Sequence, residues 1–168
     1  MKARDLMTAD PLALSPTDPL WKAAEIMKYE DIGGVPVVEK STNRLVGIIT
    51  DRDITIRCVA RRHETGCVVA SHMTPQPLRT VSPDADVAEI IAKMEVAEVR
   101  RIPVIDSEGV LLGIVAERDL VMKLDASVAL PARRRIKAAS RRSQATVDAL
   151  LDRGHPSALG VAGITSLR

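Results

Sequence analysis

Two short segments of the chain carry residue types that could bind a sugar or a phosphate. In the first segment (residues 47–54), Thr50 and Asp53 stand three positions apart after an apolar run. An ionised carboxylate accepts hydrogen bonds through two oxygens, so Asp53 could hold both hydroxyls of a ribose, and Thr50 adds a rotatable hydroxyl. The helix predicted over residues 51–61 would present free backbone N–H groups and the positive end of its dipole to a phosphate.

The second segment (residues 113–120) repeats the first one 66 positions later, with Ala116 in place of Thr50 and Asp119 in place of Asp53. The spacing of Thr50 and Asp53 also fits a capping box, a purely structural pair of hydrogen bonds at a helix start. The first segment alone leaves both explanations open. Because Ala116 cannot cap a helix and Asp119 is nevertheless present, the second segment favours ligand binding. We therefore expect two sites, of which the Asp53 site is the stronger.

The repetition extends over most of the chain. Met7-Thr8 returns as Met73-Thr74, and Val35-Pro36 returns as Ile102-Pro103, with offsets of 66 and 67 residues. Such a repeat indicates two copies of one supersecondary unit, each too small to bury its apolar face alone.

Hydrophobic periodicity and turn residues predict the order β-α-β-β-α for each copy, which is an α/β unit. The predicted elements are a strand (13–14 and 80–81), an amphipathic helix (with apolar positions between 20 and 27 and between 87 and 94), two strands (35–38 with 45–49, and 104–105 with 110–115) and a closing helix (51–61 and 117–124). We divide the chain into a first domain at 1–62, a second domain at 67–125, and a basic extension at 126–168 that is partly helical or flexible.

These motifs resemble a known family. The Met-Thr opening followed by proline, the apolar-Pro-Val strand and the Gly-x-x-Thr-x-x-Asp turn, in this order and twice, are similar to the CBS domain (cystathionine β-synthase domain). The resemblance implies a pair packed with pseudo-two-fold symmetry, often a homodimer, which acts as a non-catalytic signalling module. It also implies adenosine-containing ligands in two clefts between the halves. AMP, ADP or ATP is favoured, NAD or S-adenosylmethionine is possible, and no cofactor is required.

The resemblance also assigns residues to the two clefts. The first site would take Ile48, Thr50 and Asp53 from the first half and, from the second half, the backbone near Arg79 with Arg100, Arg101 and Arg118. The second, weaker site would use Ile114, Ala116 and Asp119 with Gly33, Gly34 and Arg52. Converging arginines suit a phosphate because a guanidinium pairs with it through two hydrogen bonds. The alternative is that these arginines are solvated or salt-bridged.

The sequence shows no grouping that indicates catalysis. His63, His72 and His155 lack metal-ligand spacing with Cys58 or Cys67, so no metal site is expected. The two cysteines are either partly buried thiols or a redox-responsive pair. Trp21 and Tyr29, the only aromatic residues, fall on the first predicted helix and suggest packing or dimer contacts.

The extension differs from the rest of the chain in charge. Residues 1–125 carry a net charge of −4, whereas residues 126–168 carry +6. The Arg133–Arg142 segment could bind a nucleic acid or an acidic partner, which would make the protein a scaffold. It could also dock on the net-acidic body or remain solvated. No apolar run is long enough to span a membrane, and the N-terminus has no secretory signal, so we expect a cytoplasmic protein.

Overall fold

The computed structural model describes residues 1–63 and 66–152, and for residues 142–152 it describes the backbone only. The first half contains α1 (Ala3–Leu6), β1 (Thr8–Ala9), α2 (Leu20–Tyr29), β2 (Gly34–Val38), β3 (Leu45–Thr50) and α3 (Asp51–Asp53), which continues as a π-helix over Ile54–Val59. The second half contains a 3-10 helix (Val69–Ser71), β4 (Thr74–Pro75), α4 (Val87–Val96), β5 (Arg101–Ile105), β6 (Leu111–Ala116) and α5 (Glu117–Lys123). A long helix, α6 (Ala126–Asp152), follows.

The predicted α/β architecture is confirmed. The described residues form two antiparallel three-stranded sheets, with the strand orders β1-β6-β5 and β2-β3-β4. The predicted opening strands are reduced to single parallel bridges, in which Leu14 pairs with Val37 and Val81 pairs with Val104. These segments are bounded by prolines and serines, which limits their pairing to one residue each.

The two halves exchange a strand. The short β1 of the first half pairs with β6 of the second half, with Thr8 opposite Ile114. The short β4 of the second half pairs with β3 of the first half, with Thr74 opposite Ile48. Each sheet is therefore completed by the opposite half.

Glycines at corresponding places make this exchange possible. A Cβ on Gly113 would collide with the Met7 side chain and would lie 2.9 Å from the Thr8 carbonyl oxygen. A Cβ on Gly47 would meet Met73 in the same way and would lie 3.1 Å from the Thr74 carbonyl oxygen. The repeated glycines therefore leave the space that the repeated Met-Thr pairs occupy.

Aliphatic side chains fill two separate cores, each built mainly from one half. The core of the first half includes Leu14, Val35 and Ile49, and that of the second half includes Ile90 and Ile102. A small cluster of Val38, Leu45 and Leu111 joins the two hairpins where the halves meet.

The basic extension docks on the second half over its described part. Ala132 and Ile136 of α6 are buried in the core of that half. Arg133 pairs with Glu117 at 3.3 Å, and Arg135 pairs with Glu95 at 2.7 Å. These pairs are partly exposed, so each contributes at most about 1 kcal/mol, and the apolar contacts dominate.

The helix α6 runs without a break from residue 126 to residue 152 of the extension. Residues 153–168, which complete the extension and include His155, lie outside the described residues. Among the described residues, no helix is both long and apolar enough to cross a membrane.

We predict that Gly113→Val destabilises the protein by about 1–3 kcal/mol, because the new side chain overpacks the contact between β6 and β1. The free energy of unfolding in urea measures this change. Ala92→Val adds two methyl groups at an exposed position on α4 and should cost less than about 1 kcal/mol. Equal stability of the two variants would contradict the role assigned to Gly113.

Candidate ligand clefts

The larger of two clefts between the halves contains the first motif. Its volume is about 780 Å³, which is in the range of small-molecule sites. Both halves contribute to its walls, with Thr50 and Asp53 from the first half and Arg79 and Arg100 from the second. The remaining lining residues are Ile48, Asp51, Arg52, Thr74, Pro77, Leu78, Ala97, Glu98, Val99, Arg101, Pro103 and Ser140.

Thr50 and Asp53 form a complete capping box at the start of α3. The Asp53 Oδ2 atom accepts from the Thr50 N–H at 3.0 Å and from the Thr50 hydroxyl at 2.6 Å. The Asp53 N–H donates to the Thr50 Oγ1 atom at 3.1 Å. Thr50 and Asp53 therefore do form the capping box that their spacing allowed.

Capping does not use all the acceptor capacity of Asp53. Its Oδ1 atom lies 3.3 Å from the Arg57 guanidinium, and the side chain is 14% exposed. Each carboxylate oxygen has two lone pairs, so Oδ1 can accept from Arg57 and from one further donor. The capping box and a ligand can therefore share this carboxylate.

The sequence did not single out Arg57. Its guanidinium also donates to the backbone carbonyls of His72 and Met73, both at 2.8 Å. Asp53 and Arg57 are four positions apart on a predicted helix, and this spacing could have indicated their ion pair.

The arginines predicted for the first site are divided between the two clefts. Arg79, Arg100 and Arg101 line the first cleft, whereas Arg118 lines the second. Arg52, which was predicted for the second site, lines the first. Arg52 and Arg118 directly precede Asp53 and Asp119 in the first turn of their helices, so each stays beside its own aspartate.

Arg101 lies between the two clefts and lines both. A Cβ on Gly33 would come within 3.0 Å of the Arg101 Nη2 atom, so the absence of a side chain there makes room for the guanidinium. Burial lowers the pKa of Arg101, and the charge of Asp51 opposes this shift. Gly34 lines the second cleft, and Gly33 is among the lining residues of neither.

Arg100 is partly engaged within the protein. Its Nε atom lies 3.8 Å from Glu117 Oε2, and its side chain is 52% exposed. Arg100 is therefore partly salt-bridged, which was the alternative to phosphate binding. The distance between Arg100 and Glu117 is long for an ion pair, and Arg100 is open to solvent.

The second cleft is smaller, with a volume of about 220 Å³. Its lining residues are Thr8, Pro11, Leu12, Glu30, Asp31, Ile32, Gly34, Pro36, Arg101, Ile114, Ala116, Arg118 and Asp119. Four arginines and three carboxylates line the first cleft, whereas two arginines and three carboxylates line the second. The first cleft is therefore larger and better suited to an anion.

Asp119 keeps half of the capping box. Its Oδ2 atom accepts from the Ala116 N–H at 2.7 Å, although alanine supplies no hydroxyl. The argument that Asp119 loses its structural purpose without a threonine is therefore wrong. A single hydrogen bond to the backbone is enough to give this aspartate a structural role.

Comparison with known proteins decides the family. A family model for the CBS domain matches residues 3–59 and again residues 69–126. The chain belongs to the CBS domain family. The predicted tandem CBS pair is confirmed.

Two curated relatives share this CBS pair. The chain is 39% identical over 119 residues to uncharacterized protein YlbB of Bacillus subtilis, which covers 71% of this chain and 79% of that protein. It is 36% identical over 122 residues to hypoxic response protein 1 of Mycobacterium tuberculosis, and this match covers 73% of this chain and 84% of that protein.

Solved structures with the same fold carry different ligands. A crystal structure of hypoxic response protein 1 with two coordinated zinc ions superimposes with a TM-score of 0.67 at 32% identity, over 74% of this chain and all of that one. The CBS domain pair of protein MJ0100, in complex with 5′-methylthioadenosine and S-adenosylmethionine, superimposes with a TM-score of 0.65 at 26% identity. The match covers 73% of this chain and 94% of that one.

The CBS pair also brings together four side chains that the sequence analysis did not group. The metal-ligand atoms of Cys58, His63, Cys67 and His72 all lie within 4.8 Å of one another. The expectation that His63 and His72 have no ligand spacing with the cysteines is therefore wrong. The chain turns back after the π-helix, where the His63 N–H donates to the Cys58 carbonyl at 3.1 Å. The missed signal was the sequence Cys-x4-His-x3-Cys-x4-His.

We predict that Ala116→Thr stabilises this CBS protein by about 1 kcal/mol. Ala116 has nearly the same backbone angles (φ −103°, ψ 157°) as Thr50 (φ −121°, ψ 162°), so a threonine there can accept from the Asp119 N–H. Urea unfolding measures the gain. Thr50→Ala is the reciprocal control and should lose a similar amount; a destabilised Ala116→Thr protein would contradict the prediction.

Proposed function

We propose that this CBS pair is a non-catalytic regulatory module that binds an adenosine-containing ligand, and that AMP, ADP or ATP occupies the first cleft. The observation that carries the proposal is the combination of a ribose acceptor, Asp53 Oδ1, with four arginines in a cleft of about 780 Å³. The second cleft takes a more compact or less charged ligand, or none.

The lining of the first cleft matches the parts of a nucleotide. Aliphatic surfaces from Ile48, Leu78 and Pro103 suit the adenine ring, because the cleft has no aromatic side chain for stacking. One ribose hydroxyl donates to Asp53 Oδ1. Arg79 and Arg100, which the second half contributes to the lining, can pair with phosphate oxygens.

The complex of the MJ0100 pair supports adenosine as the shared part of the ligand. Its ligands, 5′-methylthioadenosine and S-adenosylmethionine, contain no phosphate. Because the first cleft here is lined by four arginines, we favour a phosphorylated nucleoside, with NAD and S-adenosylmethionine as competing ligands in the test.

A ligand in this cleft would act through the contact between the halves. It touches residues from both halves, so its affinity depends on how they are packed. A ligand shifts a conformational equilibrium only by its difference in affinity for the two states. The regulatory output is therefore a change in the packing of the halves, or of a dimer.

We predict that ATP or AMP binds the purified protein and that Asp53→Asn weakens this binding by about tenfold to a hundredfold. A hydrogen bond to a charged acceptor contributes roughly 1.5–3 kcal/mol, and asparagine keeps the size but loses the charge. Isothermal titration calorimetry measures the affinity. Asp119→Asn is the matched control and should leave the tighter site unchanged.

The same titrations with adenosine, NAD and S-adenosylmethionine distinguish the ligand classes. If arginines recognise the phosphates, adenosine should bind at least about tenfold more weakly than AMP or ATP. Absence of binding by all of these compounds, or equal effects of Asp53→Asn and Asp119→Asn, would refute the proposed site. Circular dichroism of each variant excludes loss of fold as the cause.

We also propose that the protein forms a homodimer. Trp21 and Tyr29 on α2 are 64% and 72% exposed, so neither has the packing role within the chain that the sequence allowed. Exposed large aromatic side chains favour an interface. Light scattering after size exclusion should show a dimer, and Trp21→Ser should shift it toward the monomer, whereas Lys22→Ser should not. A wild-type monomer at high micromolar concentration would contradict this proposal.

The alternative function, a scaffold acting through the Arg133–Arg142 segment, has less support. Arg133 and Arg135 are already paired with glutamates of the second half. A nucleic-acid partner is therefore not part of our proposal, and a cytoplasmic location remains a prediction.

A further inference from the structure

We propose that Cys58, His63, Cys67 and His72 form a structural zinc site that joins the end of the first half to the start of the second. None of the four residues lines either cleft, so this site is independent of the nucleotide proposal. Cys58 lies in the π-helix, and His63 follows it. Cys67 and His72 lie on either side of the 3-10 helix Val69–Ser71.

The distances fit a single tetrahedral ion. The two sulfur atoms are 3.9 Å apart, and neither cysteine is in a disulfide. Two sulfurs at about 2.3 Å from a tetrahedral zinc lie roughly 3.8 Å apart. All four ligand atoms lie within 4.8 Å of one another, so the most distant pair closes by about 1 Å on binding.

His72 provides an independent indication that something binds here. Its side chain is 2% exposed, and neither ring nitrogen has a hydrogen-bond partner. A buried polar atom without a partner costs about 1–3 kcal/mol, so nearly all such atoms in folded proteins are paired. The ring centroid of His72 lies 5.2 Å from that of His63, which places both imidazoles beside the same pair of sulfurs.

Zinc binds the deprotonated forms of its ligands. Binding of Zn²⁺ to Cys58 and Cys67 therefore converts the two thiols to thiolates and releases two protons to solvent.

The ligand set favours zinc over other divalent ions. Two sulfur and two nitrogen ligands in a tetrahedral arrangement are typical of closed structural zinc sites. Hard ions such as Mg²⁺ and Ca²⁺ prefer oxygen ligands, and the group contains none. Because four side chains complete the coordination, no position remains for a substrate, and the role is structural.

The site would reinforce a junction that Arg57 already holds. Arg57, next to Cys58, donates to the carbonyls of His72 and Met73. A zinc ion would add ligand bonds between the same two segments and would hold the π-helix against the chain that leads into β4. Metal binding should therefore raise the melting temperature of the protein.

Zinc binding can be tested directly with the full chain purified under reducing conditions. We expect one zinc per chain by elemental analysis and, after exchange with Co²⁺, the visible absorption of a tetrahedral cobalt–thiolate site. Removal of zinc with a chelator should lower the melting temperature, and added Zn²⁺ should restore it.

Variants assign the ligands. His63 is exposed, so His63→Ala removes a ligand without disturbing the core and should weaken zinc affinity by at least about tenfold in competition with a chromophoric chelator. Cys67→Ser should do the same and should reduce the thiolate absorption of the cobalt form, because only Cys58 remains as a sulfur ligand. Ser71→Ala, an exposed neighbour on the 3-10 helix, is the control and should bind as the wild type does.

Three results would overturn the proposal. They are absence of stoichiometric zinc binding by the reduced chain, wild-type affinity in both His63→Ala and Cys67→Ser, and a Cys58–Cys67 disulfide in the protein isolated with reductant. Replacement of the buried His72, for example by His72→Gln, could prevent folding. The zinc affinity of His63→Ala tests the site without this risk, because His63 is exposed.

Discussion

Each sheet of this molecule needs a strand of two residues from the opposite half. Thr8–Ala9 completes the second sheet, and Thr74–Pro75 completes the first. The chain that follows each exchanged strand then runs into a cleft, where Leu12 lines the smaller one and Leu78 the larger. The clefts therefore exist because the strands cross over, and loss of the crossing would separate their walls.

A duplicated frame of this kind makes two related sites, and a few substitutions make them unequal. Where the second half has Arg100-Arg101, the first half has Gly33-Gly34. The glycines also remove two side chains, and the guanidinium of Arg101 lies in the space left at Gly33. One half therefore supplies a cation to both clefts, and the volumes and charges of the clefts diverge although the strands that frame them correspond.

The sequence predicted what depends on local patterns or on the repeat. The helices, the hairpin strands, and the aspartates at the helix starts follow from periodicity and spacing. It failed where the outcome depends on how the chain returns in space. Which cleft Arg52 and Arg118 line depends on how the first turn of each helix is oriented toward the clefts. The grouping of Cys58 with His72 depends on a reversal after a π-helix, which sequence periodicity does not reveal.

Arg57 links the first cleft to the exchanged strand. Its guanidinium pairs with Asp53 Oδ1 and donates to the Thr74 hydroxyl at 3.2 Å, and Thr74 is half of β4. A ligand hydroxyl that binds Oδ1 shares its acceptor with Arg57 and therefore weakens the hold of Asp53 on this guanidinium. The same guanidinium then has more freedom to follow β4 and the second half. In the proposed function, this one side chain would connect occupancy of the cleft to packing of the halves and would supply the differential contact that a regulatory ligand requires.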